Sequence, residues 1–213
     1  MIQQAHVGVG VLGREGTQAA RSADFAISSF QRLQRLLSVH GRYSYIRVVK
    51  VIVFSLYKNM AFTFMPFWLA WSSGFSGQTV HDAWIITVYN MVFTAAPPFF
   101  LGVFEKDVDE GVLDATPAAY RMVQSQVLFN VPVLLLALLD GILHSAIIFY
   151  VCTLITEGAI DDSGRTASLW GFSVLCSTVT VFAVNLKAAM ITQHWTGFTH
   201  FFTWMSIVVF VLF

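Results

Sequence analysis

Five long apolar segments constrain this chain more than any other feature of its sequence. They run over about 51–75, 83–104, 127–155, 169–189 and 198–213. A helix needs about 20 predominantly apolar residues to cross a bilayer core of about 30 Å, so the first four are long enough and the last is short. Only 11% of the residues are charged, against about 25% in soluble domains. The sequence therefore predicts a predominantly α-helical polytopic membrane protein with about five transmembrane helices.

The basic residues predict how these segments are oriented. Most of them precede the first segment: Arg14, Arg21, Arg32, Arg35, Arg42, Arg47 and Lys50. The loop 73–82 has none, and the loop 157–168 has only Arg165, beside three acidic residues. Because basic residues concentrate on the cytoplasmic side of a membrane, we expect a multi-pass protein with a cytoplasmic N-terminal part. The two loops are expected to face the opposite side.

The N-terminal residues 1–45 have a soluble character, and their pattern predicts a short α/β element: a short strand, a turn with a short helix and a second short strand. A helix over 28–50 then leads into the first apolar segment. Gly8, Gly10 and Gly13 spell the G-x-G-x-x-G pattern of dinucleotide-binding loops. That loop needs a preceding strand, a following helix and an acidic ribose ligand about 20 residues further on. Little chain precedes Gly8, and the sequence soon becomes apolar. A strand whose glycines allow close packing is therefore favoured over nucleotide binding.

Lys58 and Asn59 stand side by side within the first apolar segment. Lys58 lies about 12 Å deeper along a helix than the last lysine before the segment, and a charge at that depth costs at least about 2.5–3.5 kcal/mol. A buried, hydrogen-bonded ammonium is therefore favoured over one that snorkels to the headgroups. Thr63 lies one turn beyond Asn59, and Pro66 leaves the carbonyl of Phe62 without its helical donor.

The second segment repeats this pattern. Thr87, Asn90 and Thr94 fall at i, i+3 and i+7, which predicts one polar stripe on one helix face. Pro97 and Pro98 follow and leave two more carbonyls without helical donors. Asn90 lies at about the depth of the lysine in the first segment. Two proline-interrupted helices with polar groups near the midplane are typical of a transport site. The alternative is a set of hydrogen bonds that only hold the helices together.

Other polar residues in the apolar segments have simpler interpretations. Asp140 and His144 lie at i and i+4 in the third segment, which favours a pair that satisfies itself over a proton relay. Cys152 and Cys176 lie in apolar runs and are interpreted as small buried hydrophobic residues. No residues have metal-ligand spacing, so the sequence assigns neither a metal site nor catalytic residues to this chain.

The quoted stretches "IQQAHVGVGVLGREGTQAARSADFAISSFQRLQRLLSVHGRYSYIRV" and "YKNMAFTFMPFWLAWSSGFSGQTVHDAWIITVYNMVFTAAPPFFLGVFEKDV" resemble the P4-type ATPases, the ATP-driven phospholipid flippases. The resemblance is dense over about 2–122. It continues more loosely through "LHSAIIFY", "TVFAVNLKAAM" and "HWTGFTHFFTWMSI". The motifs "LLSVHGRYSY", "YKN" and "VYN" distinguish this branch from the ion-pumping P-type ATPases.

The resemblance implies that 1–30 is the C-terminal remnant of the phosphorylation (P) domain and that 31–50 is the cytoplasmic stalk helix. It implies that 51–213 is a transmembrane domain containing family helices five to nine, the last incomplete. Lys58, Asn59 and Asn90 then line the path of the lipid headgroup. The full set of candidates on this path is Lys58, Asn59, Thr63, Thr87, Asn90 and Thr94, and the candidate helix kinks are at Pro66, Pro97 and Pro98.

The resemblance also implies what the whole protein needs. A flippase moves phospholipid from the exoplasmic to the cytoplasmic leaflet of the plasma membrane or of an endomembrane such as the Golgi or endosome, and it uses ATP and Mg²⁺. The partners implied are phospholipid, the N-terminal part of the ATPase and a candidate accessory subunit, with no nucleic acid.

This sequence departs from the family pattern in several ways. It contains no phosphorylated aspartate of a DKTG motif, no GDGxND motif, no nucleotide or actuator domain and no helices one to four. The family's "ALP" reads Ala96-Pro97-Pro98 here. We therefore expect that the chain alone does not hydrolyse ATP. The alternatives are a fragment of an ion-motive P-type ATPase, which needs membrane carboxylates where this chain has Lys58 and Asn90, and a non-catalytic multispan membrane protein.

Overall fold

The computed structural model of the chain describes residues 4–13, 17–158 and 168–213, and these are mainly helical. They form two compact units. The first comprises Met1–Tyr45 and Val108–Ser125, and the second comprises Ile46–Asp107 and Gln126–Phe213. The predominantly helical architecture predicted from the sequence is confirmed.

The first unit begins with two short parallel strands, β1 (Val9–Val11) and β2 (Phe25–Ile27), joined through the short helix α1 (Gln18–Arg21). A Cβ atom at Gly10 would lie 2.8 Å from the carbonyl oxygen of Ala19, so only glycine lets α1 pack this closely on the strand. The backbone N–H of Gly8 donates to the Asp24 carboxylate at 2.7 Å. The glycines therefore serve close packing and an internal hydrogen bond, as the packing interpretation expects.

Short helices complete the first unit. They are α2 (Arg32–Arg35), a π-helical turn (Leu36–Gly41), α7 (Glu110–Ala115), a 3-10 turn (Pro117–Tyr120) and α8 (Arg121–Gln124). Val39, Tyr43 and Leu113 form their buried apolar cluster. The Tyr43 hydroxyl donates to the backbone carbonyl of Val108, so the segment that follows 107 is fastened to the start of the long helix α3 (Arg42–Thr63).

Long apolar helices dominate the rest of the described chain. Four of them are long and apolar enough to cross a membrane: Arg32–Ser72, Ala83–Phe104, Val131–Gly158 and Leu169–Ile191. A shorter apolar helix, α11 (Gly197–Leu212), has 16 residues. The polytopic membrane architecture predicted from the sequence is confirmed, with the last of the five segments shorter than a full span.

Two of these four helices are interrupted at the predicted prolines. The first is divided into α3 and α4 (Met65–Ser72), with Pro66 in the first turn of α4. The second is divided into α5 (Ala83–Val88), a π-helical turn (Tyr89–Phe93) and α6 (Ala96–Phe104). Pro97 and Pro98 lie in the first turn of α6. Proline is tolerated in a first turn because no intrahelical bond is lost there, so each helix restarts at its proline.

The remaining two spans, α9 (Val131–Gly158) and α10 (Leu169–Ile191), pack against α3. Phe54, Tyr57 and Ala61 of α3 form a buried cluster with two residues of α10. On α9, a Cβ atom at Gly141 would lie 2.7 Å from both the Met60 Cβ atom and the Tyr57 carbonyl oxygen. The α3 backbone is thus held closely by α9 on one side and by α10 on another, and this holds the segment around Lys58 in place.

Candidate functional site

The Lys58 side chain is buried and hydrogen-bonded inside the second unit. It is 6% exposed, and its Nζ atom donates to the carbonyl oxygen and to the Oγ1 atom of Thr94, each at 3.1 Å. Within the described residues, no carboxylate forms an ion pair with this ammonium. The structure therefore agrees with the buried alternative and not with snorkelling.

The prolines explain why polar side chains gather at this point. Pro97 and Pro98 cannot donate to the carbonyls of the residues four positions earlier, Phe93 and Thr94. The Thr94 carbonyl accepts from Lys58, and the Phe93 carbonyl accepts from the Nδ2 atom of Asn185 at 3.1 Å. A free carbonyl inside a membrane is expensive, so these two side chains replace the two backbone donors that the prolines remove.

A closed set of hydrogen bonds links α3 to the π-helical turn. The N–H and the Oγ1 atom of Thr94 both donate to the carbonyl of Tyr89, at 3.1 and 2.7 Å. The Tyr89 hydroxyl in turn donates to the backbone carbonyl of Lys58 at 3.0 Å. π-helical turns are rare and often lie at functional sites. Here the turn fixes Thr94 opposite the lysine ammonium.

The predicted single stripe of Thr87, Asn90 and Thr94 is divided in the structure. Thr94 is fully buried, whereas Thr87 and Asn90 are exposed. The π-helical turn contains one residue more per turn than the α-helix assumed by the i, i+3, i+7 pattern, and so it carries Thr94 onto another face. One regular stripe was therefore the wrong geometry, and the interrupted helix is the reason.

The other candidate path residues lie on the surface of the second unit. Asn59 and Thr63 are exposed on α3, one turn apart, and Asn59 points away from the interior that encloses Lys58. The structure therefore brings Lys58 and Thr94 together. It leaves Asn59, Thr63, Thr87 and Asn90 with accessible polar groups.

His81 is a buried polar residue that the sequence reasoning missed. Its ring is 2% exposed and stacks on Phe62 with a centroid distance of 4.1 Å, and Phe62 stacks on Tyr89 at 4.0 Å. Its Nδ1 atom lies 2.9 Å from the Ser177 hydroxyl. Burial lowers the pKa of His81 to about 4, and the backbone carbonyl of Phe62 acts in the opposite direction. Pro66 leaves this carbonyl without its helical donor. This was the only feature of the sequence that indicated a polar partner near Phe62.

Asp140 pairs with a residue other than the one predicted. The Nζ atom of Lys187 lies 3.0 Å from Asp140. The Nδ1 atom of His144 lies 3.5 Å from it and makes no hydrogen bond within the part of the chain that the structure describes. The predicted pair is therefore part of a group of three. This group surrounds the Tyr57 ring, since Lys187 lies 5.3 Å from its centroid and the His144 ring meets it edge-on at 5.4 Å.

The remaining chemistry of the described residues is limited. No group of three His, Cys, Asp or Glu side chains in the described ranges has metal-binding geometry. Cys152 and Cys176 are buried free thiols in an apolar cluster. What the arrangement around Lys58 offers is a buried cation, held by neutral oxygen atoms, between two interrupted helices.

Comparison with known proteins places this arrangement in context. A family described as "Phospholipid-translocating P-type ATPase C-terminal" matches residues 20–213. The chain is 40% identical to the phospholipid-transporting ATPase ID of Mus musculus over 211 residues, which is 99% of this chain and 18% of the relative. It is 42% identical to the phospholipid-transporting ATPase DRS2 of Saccharomyces cerevisiae over 201 residues, 93% of this chain and 15% of the relative. The chain therefore spans less than a fifth of the length of these relatives.

Proposed function

Since the chain belongs to the family of phospholipid-translocating P-type ATPases and matches their C-terminal region, we propose that it forms part of the headgroup path of a flippase. This family membership favours phospholipid over ions as the transported substrate. In the proposed function, the complete ATPase moves phospholipid from the exoplasmic to the cytoplasmic leaflet and uses ATP and Mg²⁺ to do so. The path then runs past Lys58, Asn59 and Asn90.

The observation that supports this proposal most is the unneutralised charge of Lys58. Within the described part of the chain its ammonium contacts only neutral oxygen atoms of Thr94. A buried cation without an anionic partner is expensive in a membrane. A phosphate or carboxylate of a passing headgroup supplies the missing negative charge, so the site is complementary to the substrate class of this family.

The geometry around Lys58 suits transient binding. An ammonium has three donors, and Thr94 accepts two of them. The third can donate to a phosphate oxygen before either bond to Thr94 is given up. Asn59, Thr63 and Asn90 add accessible amide and hydroxyl groups on the outer surface of the same two helices, and these can hydrogen-bond a headgroup before or after it reaches the lysine.

The other parts of the mechanism follow from the family. We infer that 1–30 belongs to the P domain, that 31–50 is the stalk and that the N-terminal part is cytoplasmic. Phosphorylation elsewhere in the complete ATPase then moves the stalk and α3, and so opens and closes the path at Lys58. The remainder of the ATPase and an accessory subunit are the expected protein partners.

The test is labelled-lipid uptake by a full-length ATPase that carries this chain as its C-terminal region. We expect Lys58→Ala and Asn90→Ala each to lower uptake by about tenfold or more, a loss of at least about 1.4 kcal/mol. Gln78→Ala removes an exposed amide from the loop 73–82 and should leave uptake unchanged. Normal uptake in both Lys58→Ala and Asn90→Ala would reject the headgroup path proposed here.

A further inference from the structure

We propose that Asn185 is a positioning residue for the Lys58 site. Its amide holds the proline-interrupted second helix in the conformation that presents Thr94 to Lys58. This inference rests on the proposed function, because it assigns to Asn185 an indirect role in the same headgroup path.

The hydrogen bonds of Asn185 fix the orientation of its amide. The side chain is 0% exposed. Its Nδ2 atom donates to the carbonyl of Val181 at 2.8 Å and to the carbonyl of Phe93 at 3.1 Å. Because both partners are acceptors, only the amide nitrogen can face them. The first bond stays within α10, whereas the second reaches from α10 to the end of the π-helical turn.

The Phe93 carbonyl is the group that needs this donor. Pro97 cannot supply the helical N–H. The Val181 carbonyl, in contrast, can accept the backbone N–H of the residue four positions later in α10, whatever its side chain. Phe93 itself is fully enclosed and packs edge-on against Phe210 with ring centroids 4.9 Å apart. Among the bonds that the described residues show, the one from Asn185 to the Phe93 carbonyl is therefore the one that needs an amide side chain.

A planar peptide bond transmits this contact to Thr94. The Phe93 carbonyl and the Thr94 N–H belong to one peptide unit, which rotates as a rigid body. The Thr94 N–H donates to Tyr89 at 3.1 Å. If the Phe93 carbonyl loses its donor and turns to find another, this bond is broken and the Thr94 oxygen atoms leave their positions beside Lys58. Asn185 therefore acts on the lysine through one peptide unit.

Asn185 is a costly residue if its only role is packing. Its Oδ1 atom is buried and has no hydrogen-bond partner among the described residues, and an unsatisfied buried acceptor lowers stability. An apolar side chain would fill the same space without that cost. The amide is therefore explained by its bond to the interrupted helix.

The experiment uses a full-length ATPase that carries this chain, assayed by phospholipid-stimulated ATP hydrolysis. The probe is whichever of phosphatidylserine, phosphatidylethanolamine and phosphatidylcholine stimulates the unmodified protein most. Asn185→Leu removes the donor and keeps the branched shape of the side chain, with two methyl groups in place of the amide oxygen and nitrogen. Asn185→Asp keeps the shape and, when ionised, replaces the donor with an acceptor. We expect both variants to raise the half-saturating lipid concentration at least about fivefold, with maximal hydrolysis within about twofold of the unmodified protein.

A pH series separates positioning from packing. A protonated carboxyl group can donate again, so the half-saturating concentration for Asn185→Asp should move toward the normal value between pH 8 and pH 6. That for Asn185→Leu should not move. The matched control is Thr180→Val. Thr180 is equally buried on α10, and the bond of its hydroxyl that the described residues show is to the carbonyl of Cys176 in its own helix. This control should bind lipid normally.

Three outcomes would overturn the inference. The first is a half-saturating concentration within about twofold of normal for Asn185→Asp at pH 8. The second is a decrease confined to the thermal midpoint and the maximal rate. The third is a failure of both variants to fold. Each of these two outcomes would show that Asn185 has a structural role alone. If Lys58→Ala impairs uptake while the Asn185 variants bind lipid normally, only this inference fails. Normal uptake in Lys58→Ala and Asn90→Ala would instead remove the proposed function itself.

Discussion

At the scale of single residues, Lys58 combines a large cost of burial with a compensation of similar size. Placing an ammonium deep in a membrane costs at least about 2.5–3.5 kcal/mol, and a hydrogen bond to a charged group returns about 1.5–3 kcal/mol. The two bonds to Thr94 therefore roughly balance the burial. Since the charge adds little net stability, its presence is best explained by what it can bind.

Because the cost and the gain are similar, a substitution of Lys58 can distinguish a role in transport from a role in holding the helices together. We expect Lys58→Met to change the free energy of unfolding by less than about 1 kcal/mol, because the loss of a buried charge offsets the unsatisfied Thr94 carbonyl. Labelled-lipid uptake should nevertheless fall at least about tenfold. The measurement is a thermal unfolding curve alongside uptake. A stability loss that accounts for the whole loss of uptake would contradict the transport role and support interhelical hydrogen bonding.

His81 makes stability depend on pH. Its pKa is about 4 in the folded chain and about 6.5 when unfolded, so the unfolded chain takes up this proton first as the pH falls. The contribution of His81 is therefore complete above about pH 6.5 and is lost as the pH falls toward 4, by up to about 3 kcal/mol.

The corresponding experiment compares thermal midpoints of a full-length ATPase that carries this chain at pH 7.5 and pH 5. His81→Gln should flatten the decline, because glutamine cannot be protonated there. His194→Gln, which changes an exposed histidine, should decline as the unmodified protein does. An unaltered decline in His81→Gln would show that other groups cause it.

At the scale of elements, the contact between α3 and α9 depends on Gly141. A methyl group there would lie 2.7 Å from the Tyr57 carbonyl oxygen, and this neighbour is backbone and cannot simply turn aside. We expect Gly141→Ala to destabilise the protein by about 1–3 kcal/mol and to lower uptake, because it displaces the helix that carries Lys58. The matched control is Gly111→Ala in α7, where a Cβ atom meets nothing within 4 Å and alanine should be neutral or slightly stabilising. Equal midpoints in the two variants would refute the close contact.

The elements also show how far the sequence could be interpreted. The interruptions were predictable because proline acts locally, on the carbonyl four residues earlier. The bond from Lys58 to Thr94 joins residues 36 apart in adjacent helices, which depth along the helix could suggest. The partners of Asn185 and His81 lie 92 and 96 residues away. Nothing local encodes such contacts, since they depend on which helices become neighbours. The π-helical turn was missed because periodicity arguments assume a regular helix.

At the scale of the whole molecule, the amino-acid composition predicted a membrane protein but did not predict the polar site around Lys58. A chain with 56% hydrophobic residues and a mean hydropathy of +0.68 cannot cover that surface with water-facing side chains, so a membrane architecture follows from composition alone. In agreement, much of α9 is apolar and exposed, including Leu136, Leu139 and Leu143. Those residues match a lipid-facing surface, and they carry no information about which polar groups meet inside.

The π-helical turn Tyr89–Phe93 has a mechanical consequence. One surplus residue in a helix disturbs the hydrogen bonds of a single turn and leaves the helix regular on both sides. A shift of the surplus residue by one position would change only the hydrogen bonds around it. Each residue of such a step turns a side chain by about 100°. Because the surplus residue is confined to this one turn, Thr94 faces the Lys58 ammonium while α5 and α6 remain regular helices on either side.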